Sequence, residues 1–198
     1  WYLDRETGTL YCCLEAGVDP NSMAFVAPRS AQLLKVAGTR EHPVMNLHFR
    51  DLQFAHTDWH LPEEGYAGIQ ACYYAAGYYR PEPGKEWPGY MLPVAVHLEF
   101  TQGCCLERCT VRAVASNGLG LSRGCLDTLI QGCEVADSGA NGIMVGWIAE
   151  VPKAGWYYWW SVADMQSWDV NRRTTLANCF IHHTGRELWE GVGLLEMF

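Results

Sequence analysis

The pattern of apolar and polar positions repeats along residues 106–145. Five positions of the first half recur in the second half, as Leu106/Ile130, Cys109/Cys133, Val111/Val135, Gly118/Gly142 and Leu119/Ile143. Each pair is separated by 24 residues. A fixed period of about 20 to 50 residues is typical of solenoid proteins, in which each repeat stacks on its neighbours.

Each unit contains short runs in which apolar residues alternate with polar ones, separated by Gly, Asn and Ser. This spacing has period 2 and indicates strands, and no unit has a helical pattern of helix length. The leucine-rich-repeat signature is also missing. We therefore predict an all-β parallel β-helix with three short strands per coil. Like residues should stack inside it as ladders, Phe49/Leu106/Ile130/Leu176 and Leu52/Cys109/Cys133/Cys179.

The flanking sequence predicts further elements. Residues 1–12 read as a hairpin with a turn at residues 6–8, and residues 15–21 as a polar connector. Short strands are expected at 23–27 and 33–36. The first coil begins near residue 46, and Gly68 and Ile69 are expected to take the places of Gly118 and Leu119. The coils resume after two interruptions, at Val94 and at Leu176.

We divide the chain at residue 30 on this pattern. Residues 1–30 form an N-terminal hairpin and connector, and residues 31–198 form the coils, with insertions at about 70–93 and 147–173. The chain begins on Trp1 without an initiator Met, and no polar cap follows the last coil. We expect it to be a fragment of a longer protein whose coils continue beyond residue 198.

Both insertions are unusually aromatic. They hold thirteen Trp and Tyr residues, more than loop packing requires, although packing the loops onto the coils remains an alternative role. Trp and Tyr rings stack on the apolar faces of sugars, so we expect a carbohydrate site beside these loops. The predicted substrate-binding residues here are Trp147, Trp159, Trp160, Asp164 and Trp168.

The charge and hydrophobicity of the chain exclude some classes of binding partner. The net charge is -8 with only three lysines, which argues against a nucleic-acid partner. No apolar run approaches the ~20 residues that cross a membrane, so no membrane partner is expected.

The nine cysteines include no CxxC pair, and we expect them to be buried thiols. We predict no metal site, because His56, Asp58 and His60 are only a weak ligand pattern.

One position of the repeat does not keep the same type of residue from coil to coil. Ala113 is replaced by Asp137 one unit later, and His56 and His183 occupy the same place in the first and last coils. An Asp before Gly can simply cap a turn, and the histidines can be half-buried turn residues. The alternative is a functional face, with Asp137 and His183 as catalytic residues about 4.8 Å apart if their coils are adjacent.

Further polar residues lie near this column. Glu187 is the leading candidate for a second catalytic carboxylate, with Glu190, Asp164 and Asp169 as alternatives, although each can be a solvated loop charge. The column and its neighbours also supply the remaining predicted substrate-binding residues, His56, Asp58, Trp59 and His182.

Four sequence segments carry a resemblance to a known family. The hairpin WYLDRETGTLY, then FAHTDW, VADSGANGI and CFIHHTGR resemble the right-handed, pectin-lyase-like parallel β-helix glycoside hydrolases. The chain is most similar to the family of bacterial α-L-fucosidases and xylanases, glycoside hydrolase family 141. The resemblance implies a right-handed single-stranded coil and a secreted or periplasmic protein that acts on oligo- or polysaccharide. We expect the protein to be a monomer. It also implies carboxylate acid/base catalysis without an organic cofactor, and favours Asp137 as one such carboxylate.

Two other functions fit the same scaffold. A polysaccharide lyase or uronate epimerase requires Arg or Lys as base and often Ca²⁺, but only Arg172 and Arg173 lie near the second insertion and no dense acidic cluster is present. A non-catalytic carbohydrate-binding segment would need the aromatic residues without a pair of carboxylates. The fold alone does not choose among the three.

Overall fold

The structure is a computed structural model that describes residues 2–60, 92–146 and 170–196. In these ranges the chain forms 17 strands and one short 3₁₀ helix, Pro20–Ser22. The described part of the chain is therefore all-β, as the alternating pattern predicts.

The N-terminal strands β1 (Tyr2–Asp4) and β2 (Thr9–Tyr11) pair antiparallel, which confirms the hairpin. The Asp4 carboxylate accepts the backbone N–H groups of Glu6 and Thr7 at 2.9 and 3.2 Å and so fixes the turn. The strand expected at residues 23–27 is wrong. That segment follows the 3₁₀ helix without a strand partner, and its apolar side chains are exposed, Phe25 by 50%.

Most other strands belong to three parallel sheets. Sheet 1 contains β5 (His48–Arg50), β9 (Cys105–Glu107), β12 (Leu129–Gln131) and β15 (Thr175–Ala177). Sheet 2 contains β6 (Gln53–Ala55), β10 (Thr110–Val114), β13 (Glu134–Ser138) and β16 (Phe180–His182). Sheet 3 contains β3 (Leu34–Ala37), β7 (Val94–Glu99), β11 (Asn117–Leu121), β14 (Ile143–Val145) and β17 (Leu194–Glu196). A small parallel pair, β4 (Val44–Met45) and β8 (Thr101–Gln102), lies beside them.

The chain visits sheets 1, 2 and 3 in that order four times, and each visit places a strand next to the one from the previous visit. This order is consistent with a parallel β-helix. In the register, Phe49, Leu106, Ile130 and Leu176 are consecutive partners, which confirms the first predicted ladder. Burying like apolar residues on top of each other builds a continuous core along the stack.

The cysteines form a second ladder inside the stack. The thiols of Cys109, Cys133 and Cys179 lie 3.4–3.5 Å from the carbonyl oxygens of Phe49, Leu106 and Ile130, each on the preceding coil. Cys109 and Cys133 are almost fully buried, and burial raises the pKa of Cys133 to about 11. Cys133 therefore remains a neutral thiol at physiological pH and packs as a small apolar residue, as the sequence predicts. The expectation of burial is wrong for Cys13, which is exposed beside the N-terminal hairpin.

The first coil differs from the prediction in one place. Leu119 pairs with Val96 of β7, so Val96 occupies the place expected for Ile69. Gly68 and Ile69 lie outside the described residues. The first insertion falls between β6 and β7, before the third strand of its coil, and the sequence pattern assigned that strand too early. The second interruption removes no coil, because Ile130 pairs directly with Leu176.

The corners of the coils repeat an uncommon backbone conformation. Residues with positive φ recur in three columns, Asn46/Gly103/Asp127/Arg173, Asp51/Arg108/Gly132/Asn178 and His56/Ala113/Asp137/His183. Two of the columns carry ion pairs between coils. Arg108 contacts the Asp51 carboxylate at 2.7 and 2.8 Å, and Arg173 contacts that of Asp127 at 2.5 and 2.9 Å. These arginines hold the pKa values of Asp51 and Asp127 below their usual range.

His97 of β7 is a buried polar group in sheet 3. Its side chain is 5% exposed, and Nε2 lies 2.9 Å from Ser122 Oγ. Burial penalises the imidazolium form and lowers the pKa of His97 from 6.5 to about 4. His97 is therefore neutral in the folded protein near pH 7.

We expect this histidine to make stability depend on pH. Unfolded His97 takes up a proton near pH 6.5, whereas the folded protein resists it until about pH 4. The unfolded state thus binds more protons in this window, and stability falls as the pH falls through it, by about 3 kcal/mol at pH 4. Urea unfolding at pH 7 and pH 4 measures the loss, and His97→Gln should remove about this much of the pH dependence. Equal pH dependence in the two proteins would contradict the assignment.

Candidate functional site

The candidate site lies where the strands of sheet 2 turn toward sheet 3. His56, Ala113, Asp137 and His183 each sit at this corner, with φ of 68°, 51°, 50° and 51°. Val135 pairs with Ile181, and Asp137 and His183 each follow their paired residue by two positions. Asp137 and His183 are therefore neighbours on adjacent coils, with backbones about 4.8 Å apart. Both side chains are exposed.

The outer face of sheet 2 adds polar residues beside the corner. Val135 and Ile181 point into the core, so their strand neighbours point outward. His182 Nε2 lies 3.1 Å from Glu134 Oε1, and His182 Nδ1 lies 2.6 Å from His183 Nδ1. The ring of Phe180 also packs against His182, with the ring centres 4.2 Å apart. These contacts join sheet 2 to the corner.

A loop of the last coil lies against the Asp137 turn. The N–H of Gly185 donates to Ala140, that of Arg186 to Ser138, and those of Glu187 and Leu188 to Gly139, at 2.8–3.1 Å. The backbone of Glu187 is thus held at Gly139, two residues after Asp137, and the Glu187 side chain is exposed. The structure brings Asp137, His183 and Glu187 to one corner.

The first-coil candidates lie in the same column but farther down the stack. His56 is exposed two coils below Asp137, roughly 10 Å away along the stack. Asp58 Oδ1 lies 3.4 Å from His60 Nε2. Trp59 is half-buried and packs against Leu92, Ala140 and Leu188, so it supports the loop that carries Glu187.

Five predicted substrate-binding residues lie outside the described residues, namely Trp147, Trp159, Trp160, Asp164 and Trp168. Within residues 2–60, 92–146 and 170–196, no group of three or more His, Cys, Asp or Glu side chains is arranged to hold a metal ion. In these same ranges, no helix has the length and hydrophobicity needed to cross a bilayer.

Sequence reasoning missed two polar residues of this face, Glu134 and Arg112. Glu134 contacts His182, and Arg112 is exposed on β10, where it pairs with Ala136 one residue before Asp137. The alternation of inward and outward side chains along each strand, with a period of 2, was the sequence signal that could have identified both residues. Each stands one position from a core residue, Val135 or Val111, and so must point outward from the same sheet.

A surface depression elsewhere contains none of the candidate residues. It lies at the corner between sheets 3 and 1 and is lined by Thr39, Arg40, Glu41, Pro43, Phe100, Gly124 and Leu126. It holds one carboxylate, Glu41, and no histidine. Acid/base chemistry is therefore better placed at the Asp137 corner.

The fold thus defines an all-β protein of stacked parallel strands with a polar corner beside sheet 2. No protein-family model and no curated protein matches the chain. A solved structure described as a glycoside hydrolase has a similar fold, with a TM-score of 0.71 and 23% sequence identity. The similarity covers 85% of this chain and 30% of the other, so the chain spans less than a third of the length of that protein.

Proposed function

We propose that this chain belongs to a carbohydrate-active enzyme that hydrolyses glycosidic bonds in plant or microbial polysaccharide. The observation that carries the proposal is the corner at which Asp137 and His183 stand on adjacent coils and the Glu187 loop is fastened beside them. The similar fold of a protein described as a glycoside hydrolase supports it. The resemblance of its segments to the family of α-L-fucosidases and xylanases also supports it. On that resemblance we propose a right-handed coil in a protein that is secreted or exported to the periplasm, and we propose that the protein is a monomer.

Glycoside hydrolysis requires one protonated acid and one ionised base or nucleophile. The acid gives its proton to the glycosidic oxygen as the bond from that oxygen to the anomeric carbon breaks. The oxygen of one water ends on the anomeric carbon, and its two hydrogens end on the two new hydroxyl groups. We assign Asp137 and Glu187 as the carboxylate pair and His183 as a polar neighbour that contacts the sugar. His56, Asp58 and Trp59 extend the binding face along the stack.

A substrate screen tests the proposal. Xylan-type and fucosylated oligosaccharides are incubated with the wild-type protein, and products are separated by chromatography. Reducing-end products that depend on Asp137 support hydrolysis. Oligosaccharides that bind without being cleaved would instead indicate a carbohydrate-binding segment.

Arg112 favours a second candidate function on acidic sugars. Its guanidinium is exposed one coil below Ala136 and has no ion-pair partner among the described residues. An exposed arginine near the Asp137 corner, with no ion pair to a described residue, suits a uronate carboxylate, as in a polysaccharide lyase or epimerase. By contrast, Arg173 is held by Asp127 at a different corner. An unsaturated product that absorbs in the ultraviolet, formed from polyuronate, would select the lyase over the hydrolase.

A further inference from the structure

Three residues outside the carboxylate pair form a continuous hydrogen-bonded chain that ends at the proposed site. Glu134 Oε1 lies 3.1 Å from His182 Nε2, and His182 Nδ1 lies 2.6 Å from His183 Nδ1. Glu134 and His182 lie on paired, adjacent strands, since Glu134 pairs with Phe180 and Ala136 with His182. His183 lies beside Asp137 on the next coil.

The chemistry of these contacts restricts where the protons lie. An ionised carboxylate only accepts hydrogen bonds, so Nε2 of His182 must carry the proton directed at Glu134. A neutral His182 then has an unprotonated Nδ1, which accepts. His183 must therefore donate from its Nδ1, and the neutral His183 ring keeps its lone pair on Nε2. No described residue hydrogen-bonds to that Nε2.

We propose that Glu134 and His182 are positioning residues that hold His183 in the Nδ1–H tautomer. His183 then presents an acceptor nitrogen beside Asp137, and it takes a hydroxyl group of the bound sugar as its hydrogen-bond donor. The opposite tautomer would present N–H there and would accept nothing. This inference rests on the proposed function for the identity of the ligand, but the tautomers are a property of the free protein.

Packing supports the same chain. Phe180 lies on His182 with an angle of 32° between the rings, and this contact limits rotation of the imidazole. The ring planes of His182 and His183 are inclined by 79°, with centres 4.9 Å apart and the two Nδ1 atoms 2.6 Å apart, so an in-plane N–H of one ring can meet the in-plane lone pair of the other. Because His182 is held in place by these contacts and bonds to His183, the His183 ring loses little freedom when it binds a ligand.

Nitrogen-15 NMR of protein labelled at histidine tests the tautomers directly. Single variants His182→Gln and His183→Gln assign the two rings. Ring nitrogen shifts should show neutral His182 as the Nε2–H form and neutral His183 as the Nδ1–H form. Glu134→Ala should mix the tautomers of both rings, whereas Glu134→Gln, which keeps an acceptor oxygen, should preserve them. Gln53→Ala, in the same outward column of sheet 2 two coils away, is the matched control and should change nothing.

Binding of xylo-oligosaccharide and fucosylated oligosaccharide, measured by calorimetry, tests the role of the acceptor. Loss of one net hydrogen bond should weaken binding by about threefold to tenfold in Glu134→Ala, with recovery in Glu134→Gln. His183 in the Nε2–H form, or tautomers that do not respond to Glu134→Ala, would overturn the proposal. The predicted tautomers in a protein that binds neither sugar would instead contradict the proposed function and leave the positioning chain intact.

Discussion

Replacing Asp137 by Asn should lower kcat/KM for the oligosaccharide that the protein cleaves by about 10² to 10⁴, the range that general acid–base groups supply. The amide cannot give or take the proton that hydrolysis requires. The fold should be unaffected, because the side chain is exposed and Asn tolerates the left-handed conformation at this position, with φ of 50°. Steady-state kinetics on the purified variant measure the loss.

Asp127→Asn is the matched control for this variant. Asp127 is also an exposed aspartate in the left-handed region at a coil corner, with φ of 54°, but it lies at a different corner and pairs with Arg173. Its replacement removes a solvent-exposed ion pair, which contributes little to stability, so both stability and activity should stay close to wild type. Hydrolysis by Asp137→Asn at the wild-type rate would remove Asp137 from the catalytic role.

The second large effect is expected at Gly139, which lies between Asp137 and the Glu187 loop. A Cβ atom there would stand 2.1 Å from the carbonyl oxygen of Ala115 and 2.6 Å from its carbonyl carbon. Both atoms are backbone of the neighbouring coil, so the coils must separate locally. We expect Gly139→Ala to lower the free energy of unfolding by about 3 kcal/mol or more, because overpacking against fixed backbone is not relieved by rotamer changes. Urea denaturation measures it.

Gly193→Ala provides the comparison. A Cβ atom at Gly193 would meet Ile181 Cγ2 at 3.5 Å, an ordinary contact, so its cost should stay below about 1 kcal/mol. Equal midpoints for the two variants would show that the coils do not approach at Gly139 as closely as the structure indicates. Gly139→Ala should also reduce activity, because Gly139 accepts the N–H of Glu187.

The strand positions of the fold could be predicted because the same apolar pattern recurs in several repeats, and each copy supports the assignment of the others. The positions of Leu106 and Ile130 share a register in the structure as they share a place in the sequence pattern. The prediction failed at residues 23–27, where an apolar run has no second copy and no partner strand. It also failed at Ile69, because a long insertion within one coil separates β6 from β7 and the pattern does not show where it ends.

Only some contacts of the candidate site could be predicted from the sequence, for a different reason. The column of His56, Asp137 and His183 follows from the equivalent positions of these residues in the repeat, since stacked coils bring equivalent residues together. Contacts between columns do not follow from it. The bond from Glu134 to His182 joins two adjacent coils and depends on side-chain rotamers. The loop that carries Glu187, between β16 and β17, is longer than the turns between β10 and β11 and between β13 and β14. Such contacts come from the packed structure alone.

A crystal structure of Asp137→Asn protein with a bound xylan-type or fucosylated oligosaccharide tests the central claim most directly. The account predicts a sugar at the corner between sheets 2 and 3, with its glycosidic oxygen beside residue 137 and a hydroxyl group at His183 Nε2. A sugar bound only in the depression lined by Thr39 and Leu126, with the Asp137 corner empty, would contradict it.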